Sequence, residues 1–253
     1  MHLLLYGPGR LGSAIAAAAK AAGWTCTVAG RPDAAGHREA APHAGVVIDA
    51  SLGGAVVTNL EHALAAGNRR FILATTGWDA DLPRVRSLLL AHDAAAVLST
   101  NLSLGAALFL RLTEIAAGWY ARAGAFEPSI VEWHRSGKAD RPSGTARAIA
   151  RRITTADPRW SGPDTAADGA DPRPALEVFG VRAGAAPGTH LVTFDGPGES
   201  VELRLTARDR TAYADGALAA ARWLTAETRE AGLHPFDAVV DDLLAAHPVA
   251  IPA

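Results

Sequence analysis

The chain has 253 residues, enough for one large domain or two small ones, and 49% of them are hydrophobic, so a sizeable core is expected rather than disorder. A formal net charge of −2 and a pI near 6.5 argue against a nucleic-acid surface or a polybasic membrane anchor, so an anionic substrate has to be met by a local cluster of cations. Cys26 is the only cysteine, which excludes an internal disulfide and a cysteine-based zinc centre; no metal site is expected. The apolar runs are strand-length or broken by charge, and Met1 to Tyr6 enters a glycine turn without a basic region or a long apolar stretch, so no nucleic-acid or membrane partner and a cytoplasmic location are expected.

In chain order, His2 to Tyr6 is a short apolar run closed by Gly7, as in a buried parallel strand. Gly12 to Ala22 is alanine-rich and predicts a helix. Strands follow at Trp24 to Ala29 and Gly45 to Asp49, then a helix from Thr58 to Ala66 ending at Gly67, a strand at Phe71 to Ala74, a helix at Leu82 to Ala91 and a strand at Ala95 to Ser99. Strands alternating with helices imply right-handed βαβ units and a parallel sheet. After about residue 101 the rhythm changes. A long helix at Gly105 to Ala121 precedes a strand at Pro128 to Trp133, a helix at Ala146 to Ile153 and a loop-like stretch over 154–175. Strands at Leu176 to Phe179, His190 to Phe194 and Ser200 to Leu205 come next, and helices at Ala212 to Ala226 and Phe236 to Ala245 close the chain. The fold class is therefore α/β: a Rossmann-like dinucleotide-binding domain over 1–101 and 209–253, and an α+β substrate-binding and oligomerisation domain with a mixed open sheet over 102–208.

Gly7-Pro8-Gly9-Arg10-Leu11-Gly12 is a G-x-G-x-x-G turn between a strand and a helix. Its glycines allow a tight turn and a close approach of backbone to pyrophosphate, which the helix N-terminus then faces with free N–H groups. The acid that commonly ends the second strand and binds a ribose is absent, and Arg31 stands there. A guanidinium suits a 2′-phosphate, which favours NADPH, with NADH the alternative through Asp33. Ser51, Thr75 and Thr76 end strands at the carboxyl edge, where ligands of doubly wound sheets bind.

The segment from Glu132 to Ala146 concentrates chemistry: His134, Arg135, Lys138, and a helix start at Ser143-Gly144-Thr145. Ser143 or Thr145 can cap that helix, and its free N–H groups beside Arg135 and Lys138 make a carboxylate pocket. His134 or Lys138 can deliver a proton there. Tyr-x-x-x-Lys, the pair of short-chain dehydrogenases, does not occur. The remaining histidines His37, His43, His62, His92, His234 and His247 are read as surface residues. Trp119, Trp160 and Trp223 are read as packing, and Cys26 as a small core hydrophobe.

That segment resembles the E-x-H-H-x-x-K-x-D-x-P-S-G-T-A signature of 4-hydroxy-tetrahydrodipicolinate (dihydrodipicolinate) reductases. The resemblance runs over nearly the whole chain, through the glycine turn with Arg10, Val47 to Ser51, Thr75-Thr76-Gly77, Asn101 to Gly105, Arg182 to His190 and Arg210. It implies proton donation by His134 and Lys138 and a substrate carboxylate held by Ser143, Gly144 and Thr145. It places Thr75, Thr76, Asn101 and Ser103 near the nicotinamide, with Arg210 on the returning helix. It further implies a homotetramer or homodimer built through the second domain's sheet, and reduction by NADPH or NADH of a small anionic cyclic imine on the route to diaminopimelate and lysine. The chain departs from the pattern where Arg135 replaces the second His and where Leu205-Thr206 replaces a His-basic pair. Two alternatives stay open on those departures: a reductase of another cyclic imine or imino acid, and a non-catalytic NADP-binding regulator.

Overall fold

The computed structural model describes residues 1–30, 39–162 and 171–246. It consists of two compact units, Met1–Leu104 with Arg210–Ala253, and Gly105–Asp209. Among the described residues no helix is long and apolar enough to cross a membrane.

The first unit is a six-stranded parallel sheet in the order β10-β5-β4-β3-β1-β2. Its strands are β1 (His2–Tyr6), β2 (Thr25–Val28), β3 (Val46–Asp49), β4 (Arg70–Leu73), β5 (Ala95–Leu98) and β10 (Gly232–Pro235). The inner strands read as unbroken apolar runs because helices cover both faces: Leu3, Leu4, Val46, Ile48 and Ile72 are fully buried. The helices are α1 (Arg10–Ala21), α2 (Val56–Ala65), α3 (Leu82–Ala91), α6 (Thr211–Ala226) and α7 (Phe236–Ala246). Helix α6 returns from the second unit's end of the sequence to pack on α1 and the sheet. Gly216 lets α6 pass close to the loop that follows β5, since a Cβ there would sit 1.6 Å from the Leu102 carbonyl oxygen. Strand β10 has no counterpart in the sequence reading. Gly232-Leu233-His234-Pro235 carries one aliphatic residue between two turn formers, and it pairs only at the sheet's edge, beside β5.

The second unit contains α4 (Leu104–Ala123), α5 (Gly144–Ala156) and a four-stranded mixed sheet in the order β7-β6-β8-β9. Strand β6 (Glu127–His134) runs parallel to β7 (Glu177–Arg182) and antiparallel to β8 (Gly188–Asp195), which pairs with β9 (Ser200–Ala207). Period-two alternation divides the sheet. One face buries Ile130, Val192 and Phe194 against Phe109 of α4 and Ile149 and Ile153 of α5. The other face presents Phe179, 62% exposed, and Val181.

Several expectations need correction. Trp119 is 64% exposed rather than packed. His62 is half-buried, hydrogen-bonded to Tyr6 Oη at 2.7 Å and to the Glu39 carbonyl oxygen at 2.9 Å, and His234 packs edge-on to Trp223, so neither is a free surface residue. Cys26 is only half-buried, because β2 is the edge strand. Helix α5 begins two residues earlier than its apolar pattern and runs three further, to Ala156. His37, His247 and residues 163–170 lie outside the described residues.

Candidate active site

The glycine turn sits where the strand order reverses, with β1 between β2 and β3. Ligands of doubly wound sheets bind at that switch point. Gly7 has φ +94°, and a Cβ on it would lie 2.3 Å from the Ala50 carbonyl oxygen; a Cβ on Gly12 would lie 2.0 Å from the Gly7 carbonyl oxygen. These two glycines let the turn close on itself and on the loop after β3. Gly9 differs: it is the N-cap of α1, its φ of −76° suits any residue, and among the described residues nothing lies within 4 Å of the Cβ position. Among the described residues the start of α1 is therefore uncovered, and its first N–H groups have no partners within the helix. An approaching pyrophosphate fits that cradle, and a Cβ at Gly9 would intrude on it. Arg10 and Leu11 begin the helix, with Arg10 exposed.

The loops after β3 and β4 are joined by a buried carboxylate. Asp49 Oδ1 accepts from Ser51 N at 3.0 Å, Ser51 Oγ at 2.7 Å and Thr75 Oγ1 at 2.6 Å, and its Oδ2 accepts from Asn59 Nδ2 at 2.7 Å. The hydroxyls of Ser51 and Thr75 are thus engaged within the protein, and Thr75 is buried, whereas Thr76 is exposed. Asn101 Oδ1 accepts from Ser103 N at 3.0 Å, which turns the chain into α4. Arg210 is the exposed N-cap of α6. Arg31 lies outside the described residues. Asn59, absent from the sequence reading, is the polar residue on the buried side of α2; a lone Asn at an apolar helical position was its only signal.

In the second unit the register builds a polar cluster. Glu132 pairs with Gly180 on β7 and with His190 on β8, and His134 pairs with Arg182. Residues two apart share a face, so these side chains converge at the β6 C-terminal end. Glu132 is fully buried. Its Oε1 accepts from Ser143 N at 3.0 Å and Arg182 Nη2 at 2.6 Å, and its Oε2 lies 3.2 Å from His134 Nε2. His190 stacks edge-on against His134, with ring centroids 5.3 Å apart. Gly188 leaves room for the His134 ring, since a Cβ there would come within 3.1 Å of it. Arg182 also donates to the Asp140 carbonyl oxygen, tying the following loop to the sheet.

Burial pushes the Glu132 carboxyl up, but the hydrogen bonds from Ser143 and Arg182 outweigh it and hold the group below its usual range. Burial also lowers His134; the Glu132 charge opposes this, while Lys138 and Arg182 reinforce it. His190, more deeply buried, is pushed down to about 4. Glu132 is thus ionised and accepts from His134 Nε2–H, which leaves Nδ1 of the neutral ring as its free nitrogen. Lys138 Nζ pairs with Asp140 Oδ1 at 2.7 Å, with the lysine side chain 30% exposed. That bond to Lys138 is the main reason the Asp140 carboxyl lies below its usual range.

Ser143 caps α5, its Oγ accepting from Ala146 N at 3.1 Å, so this hydroxyl is committed to the helix and its own N–H to Glu132. Gly144 and Thr145 form the first turn beyond it, and Gly144 has nothing within 4 Å of a Cβ position. Arg135 is exposed and lies over Gly137. The structure therefore gathers His134, Lys138, Arg135 and the α5 start in one unit. It adds Glu132, Arg182 and His190, whose part in the cluster the sequence reading did not assign.

A parallel doubly wound sheet with a pyrophosphate cradle at its switch point, in a chain whose second unit groups neutral imidazoles with Arg135, Lys138 and Arg182, defines a dinucleotide-dependent oxidoreductase. The family model described as dihydrodipicolinate reductase, C-terminus, matches residues 105–240. The chain is 35% identical over 198 residues to a 4-hydroxy-tetrahydrodipicolinate reductase of Archaeoglobus fulgidus, covering 77% of this chain and 75% of that one. It is 30% identical over 188 residues to the protein of that name from Christiangramia forsetii, covering 74% of each. A dipicolinate-bound dihydrodipicolinate reductase from Paenisporosarcina sp. TG-14 shares the fold, with a TM-score of 0.70 at 18% identity over 93% of this chain and 97% of that one. The chain belongs to the dihydrodipicolinate reductase family. It is a reductase of a small molecule that uses a nicotinamide dinucleotide.

Proposed function

We propose that the chain reduces 4-hydroxy-tetrahydrodipicolinate, the compound in its relatives' names, with NADPH as the preferred donor. The observation that carries this reading is the joining of His134 to the α5 start through one buried carboxylate. Glu132 binds His134 with one oxygen and the Ser143 N–H with the other. The proton-handling group and the anion-binding turn are thus held in fixed relation, as acid catalysis on a carboxylate-bearing substrate requires.

Gly7, Gly9 and Gly12 shape the cradle for the dinucleotide, with Arg10 and Leu11 opening the helix behind it. Thr75, Thr76, Asn101 and Ser103 border the nicotinamide end, and Ser51 and Arg210 contribute to cofactor binding. Arg31 takes a 2′-phosphate. When bound, the reduced nicotinamide supplies hydride. Lys138 and His134 supply and manage the proton, and Lys138 must first leave Asp140. Arg135, Gly144 and Thr145 grip the substrate carboxylate, with Ser143 holding the turn in place by its cap. The chain assembles as a homo-oligomer, and the open apolar face around Phe179 and Val181 supports that assembly through the second unit's sheet.

A second reading, a different cyclic imine or imino acid, has its own support. Leu205 stands directly opposite His190 in the register, so that flank of the cluster is aliphatic. NADPH oxidation with freshly generated 4-hydroxy-tetrahydrodipicolinate, run beside simple cyclic imines and repeated with NADH, decides between them. The first reading requires turnover on the dicarboxylate well above that on the simple imines. Turnover on a simple imine alone establishes the second.

A further inference from the structure

Three donor atoms in the second unit converge in a way that proton delivery does not require. Glu132 and His134 lie two apart on β6 and share a face; His190 stands directly across from Glu132 on β8. One ligand atom from each lies within 4.8 Å of the other two. Glu132 Oε2 is 3.2 Å from His134 Nε2 and 3.8 Å from His190 Nδ1. A tetrahedral zinc ion held about 2.1 Å from each donor sets its donors about 3.4 Å apart, between those two separations. Two positions of one strand and the facing position of its neighbour supply the donors, so rigid backbone rather than loop fixes their spacing.

An independent observation comes from His190. Its side chain is 5% exposed, and among the described residues its Nδ1 has no hydrogen-bond partner. Leaving a buried polar atom unsatisfied is costly, and this nitrogen is the one turned toward Glu132. The other carboxylate oxygen of Glu132 is held by the Ser143 N–H and by Arg182, the kind of outer support that orients a ligating carboxylate. Two imidazoles and one carboxylate with a further position open make a donor set suited to Zn²⁺ rather than Mg²⁺ or Ca²⁺.

We propose that Glu132, His134 and His190 form a binding site for a borderline-soft divalent cation, with Zn²⁺ as its probe, and that filling it inhibits the reductase by tying up His134, whose ring proton moves from Nε2 to Nδ1 as the ion takes Nε2. The inhibitory half rests on the role given to His134 above; the binding half does not, and it is read without turnover. Zn²⁺ binding to chelator-treated protein is measured by competition with a chromophoric chelator, for the wild type and for His190→Phe, which keeps a ring in the buried seat. One ion per chain is expected in the wild type and none in the variant. A crystal of the wild type soaked in Zn²⁺ should show anomalous density touching all three donors, whether or not the variant folds. Activity should fall in step with occupancy and return on adding EDTA, while dinucleotide binding stays unchanged. Density confined to surface histidines such as His43, or undiminished binding by folded His190→Phe, overturns the site. An ion seated on all three donors without loss of turnover overturns the inhibitory half and, with it, the assignment of His134 to proton handling.

Discussion

Removing the Glu132 carboxylate is the sharpest structural perturbation available. In Glu132→Gln the side chain keeps its size, but Arg182, whose side chain is 6% exposed, loses the charge that neutralises it at 2.6 Å. Breaking one partner out of a buried pair costs about 3–5 kcal/mol, because the surviving charge is left uncompensated in a medium that solvates it poorly. For a chain of this length each kcal/mol moves the melting temperature by about 2–4 °C, so the variant should melt roughly 6–20 °C lower. Arg182→Met should destabilise comparably, since it strands the carboxylate instead. The double variant strands neither, and its loss should fall short of the summed single losses by about 1–3 kcal/mol. Urea unfolding of the four proteins, followed by tryptophan fluorescence, measures this cycle. Additive losses, or a Glu132→Gln protein as stable as the wild type, would show that the pair is solvated and that Glu132 does not organise the cluster.

Four further outcomes follow from particular residues. Gly9→Ala should cost the fold no more than about 1 kcal/mol, the scale of trading a Gly cap for Ala, yet weaken dinucleotide binding by calorimetry. Gly12→Ala should destabilise the fold, because its Cβ meets the Gly7 carbonyl oxygen at 2.0 Å. Burial raises the Asp157 carboxyl, but Arg159, bonded at 2.8 Å and 2.9 Å, brings it below its usual range. A carboxyl depressed in the folded state stabilises above its unfolded pKa and loses that contribution as pH falls through the folded value. Asp157→Asn should therefore cost stability at neutral pH, with the gap from wild type closing below about pH 4. Phe179→Asp should shift the protein to smaller species in light scattering without disturbing far-ultraviolet circular dichroism, if the open sheet face joins subunits.

Much of the fold was legible because its signals are local. Unbroken apolar runs such as Leu3-Leu4-Leu5 and Val46-Val47-Ile48 can only be inner strands under helices, and Gly7 to Gly12 marks the turn between strand and helix. Strand β10 was not, because its pairing with β5 is a long-range contact that overrides the turn character of Gly232 and Pro235. At the candidate site, His134, Lys138 and Ser143 fall within one short segment and announce themselves by type. Glu132 was visible as a residue, but its task was not. Its partners Arg182 and His190 lie 50 and 58 positions away and meet it only through the register of three strands. Asp49 with Asn59 is the same lesson in the first unit, a buried pair whose members are strand end and helix face.

The central claim is that the second unit's cluster performs the proton chemistry of a reductase whose first unit holds the nucleotide. It is tested most directly with Lys138→Ala, following NADPH consumption on freshly generated 4-hydroxy-tetrahydrodipicolinate and NADPH affinity by calorimetry in the same preparation. The account predicts turnover lost by about 10²-fold or more with affinity for NADPH nearly unchanged. Turnover that survives the substitution contradicts it.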